Sequence, residues 1–473
     1  MRINSLSKNI LIYGGGNLLY SIVQIITMPL IIKSMSLPDV AAVNVFLSSV
    51  VLLSSIVTLG MDAASTHLVR NENETTGKII FSNGFFTILA TAILALPIAA
   101  LFGLFFITYI NQQGNTSILI FLCLWTLSAT INQFNLNWIK YSFNQKAFLK
   151  IILTQSLTYL FFIFFLYYKD SISLENFLIV MTASNLLPSI LGVIINRKML
   201  TAKINIKTIT RMVKYGVPFM LMAFGFNFIF SSDRYFLVGN ISIEDLAIYT
   251  QNFRIASIFS MIVSSFNFAF TPYALSILDN KDSENKLSKI RSNYIFILTS
   301  LGLLFIASSK IFIALLAGEI FLAGAKLIPF FIFSYIAYGL YSFSQLGIIK
   351  SQKSHYTLYV LLAGLVANIV MNLLLISFLG IYGAAISFLA SIVLMNVVAN
   401  VCTRNELLIL KTSIPDIILG ITLIILGLLL SFYSISQSIY IDASIKTLGI
   451  ILLCLMCLPK INLFNFKLKN PIL

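Results

Sequence analysis

Apolar runs of about twenty residues recur along the whole chain and alternate with short polar connectors. As an α-helix, a run of this length matches the roughly 30 Å hydrocarbon core of a bilayer. The pattern therefore predicts an all-α polytopic membrane protein with about fourteen transmembrane helices. The predicted spans are 10–32, 40–61, 79–110, 117–139, 151–168, 174–195, 215–238, 246–272, 294–318, 327–349, 357–378, 382–403, 414–433 and 444–459.

Composition and charge support a bilayer as the partner and argue against nucleic acid. Of the 473 residues, 59% are hydrophobic and 10% are charged, whereas soluble proteins carry about 25% charged residues. The net charge of +15 comes from basic residues in the connectors, not from a basic helix or a separate basic domain.

The distribution of Lys and Arg predicts the orientation of the chain. With the N-terminus in the cytoplasm, the inner segments hold 24 of the 31 basic residues and the outer connectors hold four. Cytoplasmic segments of membrane proteins carry this excess. Both termini are therefore predicted to be cytoplasmic.

An internal repeat divides the predicted spans into two halves. Tyr13-Gly14 at the first span recurs as Tyr215-Gly216 at the seventh, and Ser36-Leu-Pro-Asp39 recurs as Ser242-Ile-Glu-Asp245. The nearly constant offset predicts two parallel six-helix lobes around a central cavity, followed by two C-terminal helices. The predicted domains are 1–195 (N-terminal lobe), 196–214 (basic cytoplasmic linker), 215–403 (C-terminal lobe) and 404–473 (two extra helices and a basic tail).

Polar residues inside the spans are costly in a bilayer and are therefore candidate functional residues. Arg254 lies about eight residues into the eighth span, roughly 12 Å from its outer end, and an Arg at a helix centre costs about 2.5–3.5 kcal/mol or more. Ser257 shares its helical arc. This arc predicts that the face of the helix with Arg254 lies against a cavity or another helix. The alternative is that Arg254 forms a structural ion pair.

Two further spans carry polar faces, and both suit either a wet cavity or interhelical hydrogen bonds. Asn227 and Arg234 share a face of the seventh span, although Arg234 lies near the outer end, where it can instead snorkel to head groups. Asp233 points elsewhere. The first span carries Asn17, Tyr20 and Gln24 along one side, and Asp62 lies near the inner end of the second span.

Four segments carry a family resemblance: Ser232-Asp-Arg-Tyr-Phe-Leu-Val, Glu244-Asp-Leu-Ala-Ile-Tyr249, Phe253-Arg254-Ile-Ala and Thr271-Pro-Tyr273. They resemble the polysaccharide-transport branch of the multidrug/oligosaccharidyl-lipid/polysaccharide exporter superfamily. The resemblance implies two six-helix lobes around a cavity in the bacterial inner membrane. It also implies a Wzx-type flippase, which moves undecaprenyl-diphosphate-linked sugar units of the O-antigen type to the outer leaflet and works beside polysaccharide polymerase machinery.

A diphosphate head group suits a basic cavity, because arginine donates paired hydrogen bonds to phosphate. The candidate substrate-binding residues are Arg254, Arg234, Asn17, Tyr20, Gln24, Asn227 and Ser257, and the candidates for coupling or gating are Asp62 and Asp233. No cofactor is expected, although an H⁺ or Na⁺ gradient is a candidate driving force.

Three other functions compete with the flippase prediction. A cation-coupled multidrug antiporter of the same superfamily needs cavity carboxylates, whereas the expected cavity is basic. A membrane-embedded polymerase or ligase usually has a large outer loop, and here the predicted outer connectors span at most about eleven residues. A lipid II flippase is closer in function to the predicted flippase, but lipid II flippases resemble a different branch of the superfamily.

Overall fold

The computed structural model describes residues 3–109, 117–278, 280, 282–353, 355–404, 425–433 and 435–457. Within these ranges the regular structure is helical, with short 3₁₀ turns and no strand. The helices are α1 (Ile3–Ser34), α2 (Leu37–Thr58), α3 (Met61–Leu68), α4 (Glu74–Tyr109), α5 (Ser117–Tyr141), α6 (Gln145–Tyr168), α7 (Leu174–Asn196), α8 (Ile206–Leu237), α9 (Ile243–Ile277), α10 (Ser283–Leu316), α11 (Ile328–Ser351), α12 (His355–Leu379), α13 (Ile381–Thr403), α14 (described residues 425–432) and α15 (Ile439–Cys457).

The all-α polytopic fold is confirmed. In the described part of the chain, twelve helices are long and apolar enough to cross a membrane. The predicted thirteenth span, 414–433, lies mostly outside the described residues, and the predicted fourteenth, 444–459, overlaps α15.

The chain divides into two compact units, as the predicted two-lobe organisation requires. The first unit comprises Met1–Gln251 and Asn372–Ile381, and the second comprises Asn252–Met371 and Tyr382–Leu473. α9 and α12 each contribute residues to both units. The predicted domain boundaries at 195, 214 and 403 follow the sequence repeat and stay a prediction.

One hydrophobic cluster of the first unit combines aromatic, sulfur-containing and aliphatic side chains. Phe81 packs against Phe134 and Trp138, with ring centroids 5.3 and 4.8 Å apart, and Met61 and Met212 complete the same buried cluster. These residues come from α3, α4, α5 and α8. The cluster therefore holds α3 and the N-terminal part of α8 against the bundle through burial of apolar surface.

The turns matched by the sequence repeat have the same capping geometry. The backbone N–H of Asp39 donates to Ser36 Oγ at 3.3 Å, and that of Asp245 donates to Ser242 Oγ at 3.1 Å. In both turns the serine hydroxyl donates to the aspartate carboxylate at 2.9 Å. Each serine thus satisfies an N–H at the start of its helix, α2 or α9. This common geometry supports the predicted repeat.

The two copies of the repeat differ after this turn. In the first copy the helix is broken between α2 and α3, whereas in the second copy α9 continues without a break. Leu59 and Gly60 both adopt left-handed backbone conformations, with φ of +47° and +65°. Gly60 packs directly on the backbone of Gly216 in α8, and a Cβ on either glycine would overlap the backbone opposite. Because glycine lacks a Cβ, it allows both the positive φ and this close approach.

In the second unit, a buried ion cluster joins α10 to the C-terminal helices. Lys446 Nζ donates to Asp442 Oδ2 at 2.8 Å, and Lys310 on α10 donates to the same oxygen at 3.4 Å. The Lys446 ammonium also donates to the carbonyl oxygens of Leu430 and Tyr433 at 2.7 and 2.6 Å. Since buried charges need such partners, the cluster ties α14 and α15 to α10.

Candidate functional site

A cavity of about 610 Å³ lies in the first unit, and we call it the first-unit cavity. Its walls come from α1, α2, α3, α5, α7 and α8. Apolar side chains such as Trp125 and Phe219 share these walls with amides, hydroxyls and one carboxylate. The polar lining residues are Tyr20, Gln24, Ser54, Ser55, Thr58, Asp62, Thr130, Gln133, Asn185 and Asn227.

Asp62 brings a carboxylate to the cavity because α3 begins immediately after the break at Gly60. Its Oδ2 accepts a hydrogen bond from Asn137 Nδ2 at 3.0 Å, and Gln133 Nε2 donates to Asn137 Oδ1 at 3.4 Å. Asp62 lies in the first turn of α3, where the helix dipole stabilises negative charge. The carboxylate is therefore oriented by a chain of two amides from α5.

α8 meets α2 through a direct hydrogen bond at the cavity wall. Asn227 Nδ2 donates to Ser55 Oγ at 2.8 Å, and the Ser55 hydroxyl donates to the carbonyl of Val51 at 2.9 Å. One turn before Thr58, the Ser54 hydroxyl is buried and has no hydrogen-bond partner among the described residues. A buried hydroxyl is costly without a partner, so Ser54 has capacity for a hydrogen bond from a ligand or water.

α1, α5 and α7 supply aromatic and amide groups to the cavity walls. The Tyr20 ring packs edge-on against Tyr159, with centroids 5.9 Å apart. Asn185 accepts a hydrogen bond from Gln155 Nε2 at 3.2 Å and donates to the carbonyl of Met181 at 2.8 Å. Trp125 is 4% exposed and lines the cavity. The described walls therefore combine a flat aromatic surface with amide donors and acceptors, which fixes ligand orientation in binding pockets.

The first-unit cavity carries its charge on a carboxylate. Among the described lining residues Asp62 is the sole charged side chain, and none is Lys or Arg. The basic central cavity predicted between the two lobes, with Arg254 and Arg234 among its lining residues, stays a prediction.

Four of the predicted site residues lie together. Tyr20, Gln24, Asn227 and Asp62 all line the first-unit cavity, although they come from α1, α8 and α3. The side chain of Asn17 lies outside the described residues.

Arg234 and Asp233 lie on α8 but are not among the residues that line this cavity. Arg234 is 8% exposed, and its Nη1 donates to the carbonyl of Phe230 at 3.3 Å. Asp233 is 1% exposed and accepts hydrogen bonds from Tyr249 Oη at 2.6 Å and Asn372 Nδ2 at 3.3 Å. The two neighbours therefore have different surroundings, as their helical positions predicted, and Arg234 is enclosed by protein.

Arg254 and Ser257 belong to the second unit. Arg254 is half-buried on α9. The Ser257 hydroxyl donates to the backbone carbonyl oxygen of Arg254 at 2.6 Å. The hydroxyl of Ser257 is thus engaged within its own helix. The roles predicted for both residues stay predictions.

Sequence reasoning missed the contribution of α5. Gln133 and Trp125 line the cavity, and Asn137 orients Asp62. The available signal was the spacing of Gln133 and Asn137, four residues apart and hence on one helical face.

The sequence matches the family described as "Polysaccharide biosynthesis protein" over residues 6–277. This range includes every helix that lines the first-unit cavity. No protein with a curated function matches the sequence.

Several solved structures share the fold. The lipid II flippase MurJ in an inward closed conformation is 14% identical, with a TM-score of 0.68 over 95% of this chain and 99% of that one. An inward-facing multidrug resistance MATE family transporter is 11% identical, with a TM-score of 0.60 over 83% and 95% of the two chains. A MOP superfamily transporter from Pyrococcus furiosus is 14% identical, with a TM-score of 0.54 over 87% and 96%.

Proposed function

The chain belongs to the polysaccharide biosynthesis protein family, and we propose that it is a flippase for lipid-linked oligosaccharides. Its cargo is an undecaprenyl-diphosphate-linked repeat unit of the O-antigen or capsule type. The protein carries this unit from the inner to the outer leaflet of the bacterial cytoplasmic membrane. The observation that carries the proposal is the first-unit cavity, a space of about 610 Å³ among helices long and apolar enough to span a membrane, lined by amides, hydroxyls, a carboxylate and apolar side chains.

The cavity chemistry suits a sugar that must leave water. A sugar presents hydroxyl groups around its edge and C–H groups on its faces. The Gln24, Gln133 and Asn227 amides supply hydrogen bonds to replace the hydration of hydroxyls, and Trp125 offers an apolar face. A volume of about 610 Å³ lies within the range of roughly 300–1,000 Å³ typical of ligand pockets.

Alternating access moves the head group while the polyprenyl tail stays in lipid. Arg254 and Arg234 remain our candidates for contacts to the diphosphate, because a guanidinium stays charged when buried and matches phosphate geometry. Asp62 and Asp233 remain candidates for coupling to H⁺ or Na⁺. Both termini lie in the cytoplasm in this proposal, and polysaccharide polymerase machinery takes up the delivered unit.

One observation favours a second candidate function, a cation-coupled antiporter for small molecules. The described cavity walls carry a carboxylate and no basic residue, which attracts cations. A deletion strain distinguishes the two functions. Loss of surface polysaccharide with unchanged drug susceptibility supports the flippase, and the reverse supports the antiporter.

The proposal is tested with purified protein in liposomes that contain a lipid-linked oligosaccharide. Wild-type protein is expected to expose the sugar head group on the far leaflet, as measured by accessibility to a membrane-impermeant glycosidase. Arg254→Ala is expected to slow this exposure about tenfold, because a hydrogen bond to a charged group contributes about 1.5–3 kcal/mol. Arg404→Ala, at the inner end of α13, is the control for removal of an arginine and keeps the wild-type rate.

Folded wild-type protein that exposes no head group with several oligosaccharides would contradict the proposed function. If Arg254→Ala exposes the head group at the wild-type rate, only the proposed role of Arg254 is contradicted.

A further inference from the structure

We propose that Asp62 makes the first-unit cavity selective for the charge of the sugar, so that it takes neutral and amino sugars and rejects acidic ones. This inference rests on the proposed function, since it concerns the glycan that the cavity receives.

The carboxylate of Asp62 is held as a fixed charge rather than a mobile surface group. Asn137 donates to it at 3.0 Å, and Gln133 in turn holds Asn137. The carboxylate also lies in the first turn of α3. These contacts fix the position of the carboxylate at the cavity wall. A sugar in the cavity therefore meets a negative charge at a defined place.

The described walls contain nothing that neutralises a second negative charge. Apart from Asp62, the described lining residues are uncharged, and the polar groups among them are amides and hydroxyls. These groups satisfy sugar hydroxyls but provide no counter-ion for a carboxylate. Two like charges in one cavity repel, and a charge that leaves water without gaining a partner is costly to transfer. An acidic sugar thus loses its hydration and gains a repulsive neighbour.

An amino sugar is attracted to Asp62 instead of being repelled by it. Its ammonium group can pair with Asp62 and donate hydrogen bonds to Gln133 or Asn185, both of which line the cavity. Discrimination between cargoes commonly comes from such a repulsive element together with an attractive one. Asp62 supplies both elements, because its carboxylate attracts a positively charged sugar and repels a negatively charged one.

The chain offers a built-in reporter of occupancy. It contains two tryptophans, of which Trp125 lines the cavity and Trp138 lies in the buried aromatic cluster beside Phe81. The Trp138→Phe background leaves Trp125 as the sole tryptophan. Its fluorescence then follows binding at equilibrium, without any need for ion-driven transport.

The probes are three short-chain polyprenyl-diphosphate trisaccharides that differ only in the third sugar, which is glucose, glucosamine or glucuronic acid. The glucuronic acid probe is expected to bind at least about tenfold more weakly than the glucose probe, since like charges in one pocket disfavour binding. Asp62→Asn should reduce this ratio to about twofold or less. Asp170→Asn, which removes an exposed carboxylate in the loop after α6, should leave the ratio unchanged.

Gln133→Lys provides a second variant that places a cation beside Asn137 and should strengthen binding of the glucuronic acid probe. Equal affinities for glucose and glucuronic acid in the Trp138→Phe protein would overturn the inference and leave the flippase proposal standing. An undiminished ratio in Asp62→Asn would overturn the role of that residue. Failure of all three probes to bind the folded protein would overturn both the inference and the proposed function.

Discussion

Ala223→Trp is expected to reduce head-group exposure in liposomes to background, a fall of about a hundredfold, because ligand sites require an open cavity. Ala223 lies on α8 and lines the first-unit cavity between Phe219 and Asn227. An indole at this position fills space that a sugar ring needs. The rate is measured with the same oligosaccharide and glycosidase as for wild-type protein, after size-exclusion chromatography confirms that the variant is folded.

Leu221→Trp is the matched control for this variant. Leu221 lies two residues away on the same helix, is 51% exposed and is not among the cavity-lining residues. It carries the same new side chain on another helical face, so transport should stay near the wild-type rate. Equal rates in Ala223→Trp and wild-type protein would mean that the cargo does not pass through this cavity.

Gly60→Val is expected to lower the free energy of unfolding by about 4 kcal/mol, which combines backbone strain with overpacking. Gly60 has a φ of +65° and packs on the backbone of Gly216. A β-branched side chain disfavours this φ and would overlap the opposite carbonyl. Loss of this contact would also displace Asp62. Thermal unfolding in detergent and the yield of monodisperse protein measure the effect.

Gly15→Ala is the control that shows whether replacement of any helical glycine lowers the stability of the protein. A Cβ at Gly15 would meet no atom within 4 Å, and alanine is a better helix former than glycine by about 1 kcal/mol. Unfolding should therefore occur at or slightly above the wild-type temperature. A Gly60→Val protein as stable as wild type would contradict the close crossing of the α2–α3 break and α8.

Much of the fold follows from the sequence because a bilayer imposes simple rules. A helix must be long and apolar to cross the membrane, so the spans could be located from apolar runs alone. The repeated turns at Ser36 and Ser242 could be matched because a serine followed three residues later by an aspartate has a specific capping role, which both turns show.

Part of the candidate site was also predictable. Tyr20 and Gln24 are spaced four residues apart and therefore share a face of α1, and both line the cavity. Asn227 and Asp62 were identified because polar groups in a membrane segment need partners. The partners themselves, Ser55 and Asn137, are distant in sequence and depend on how the helices pack.

The position of Asp62 shows where sequence reasoning reaches its limit. The second span was predicted to run to residue 61, with Asp62 near its inner end. The structure instead separates α2 from α3 at Leu59 and Gly60, which directs Asp62 to the cavity. At that break Gly60 contacts Gly216, more than 150 residues away. Local pattern does not encode such a contact.

The most direct test of the account is photo-crosslinking of the cargo sugar to the protein. A lipid-linked oligosaccharide with a diazirine on its second sugar is irradiated with the protein in liposomes, and the labelled peptides are identified by mass spectrometry. The account predicts label on α2, α5 and α8 near Ser54, Gln133 and Asn227, all of which line the first-unit cavity, and loss of that label in Ala223→Trp. Label confined to residues outside the cavity, unchanged in Ala223→Trp, would contradict the central claim that this cavity receives the glycan.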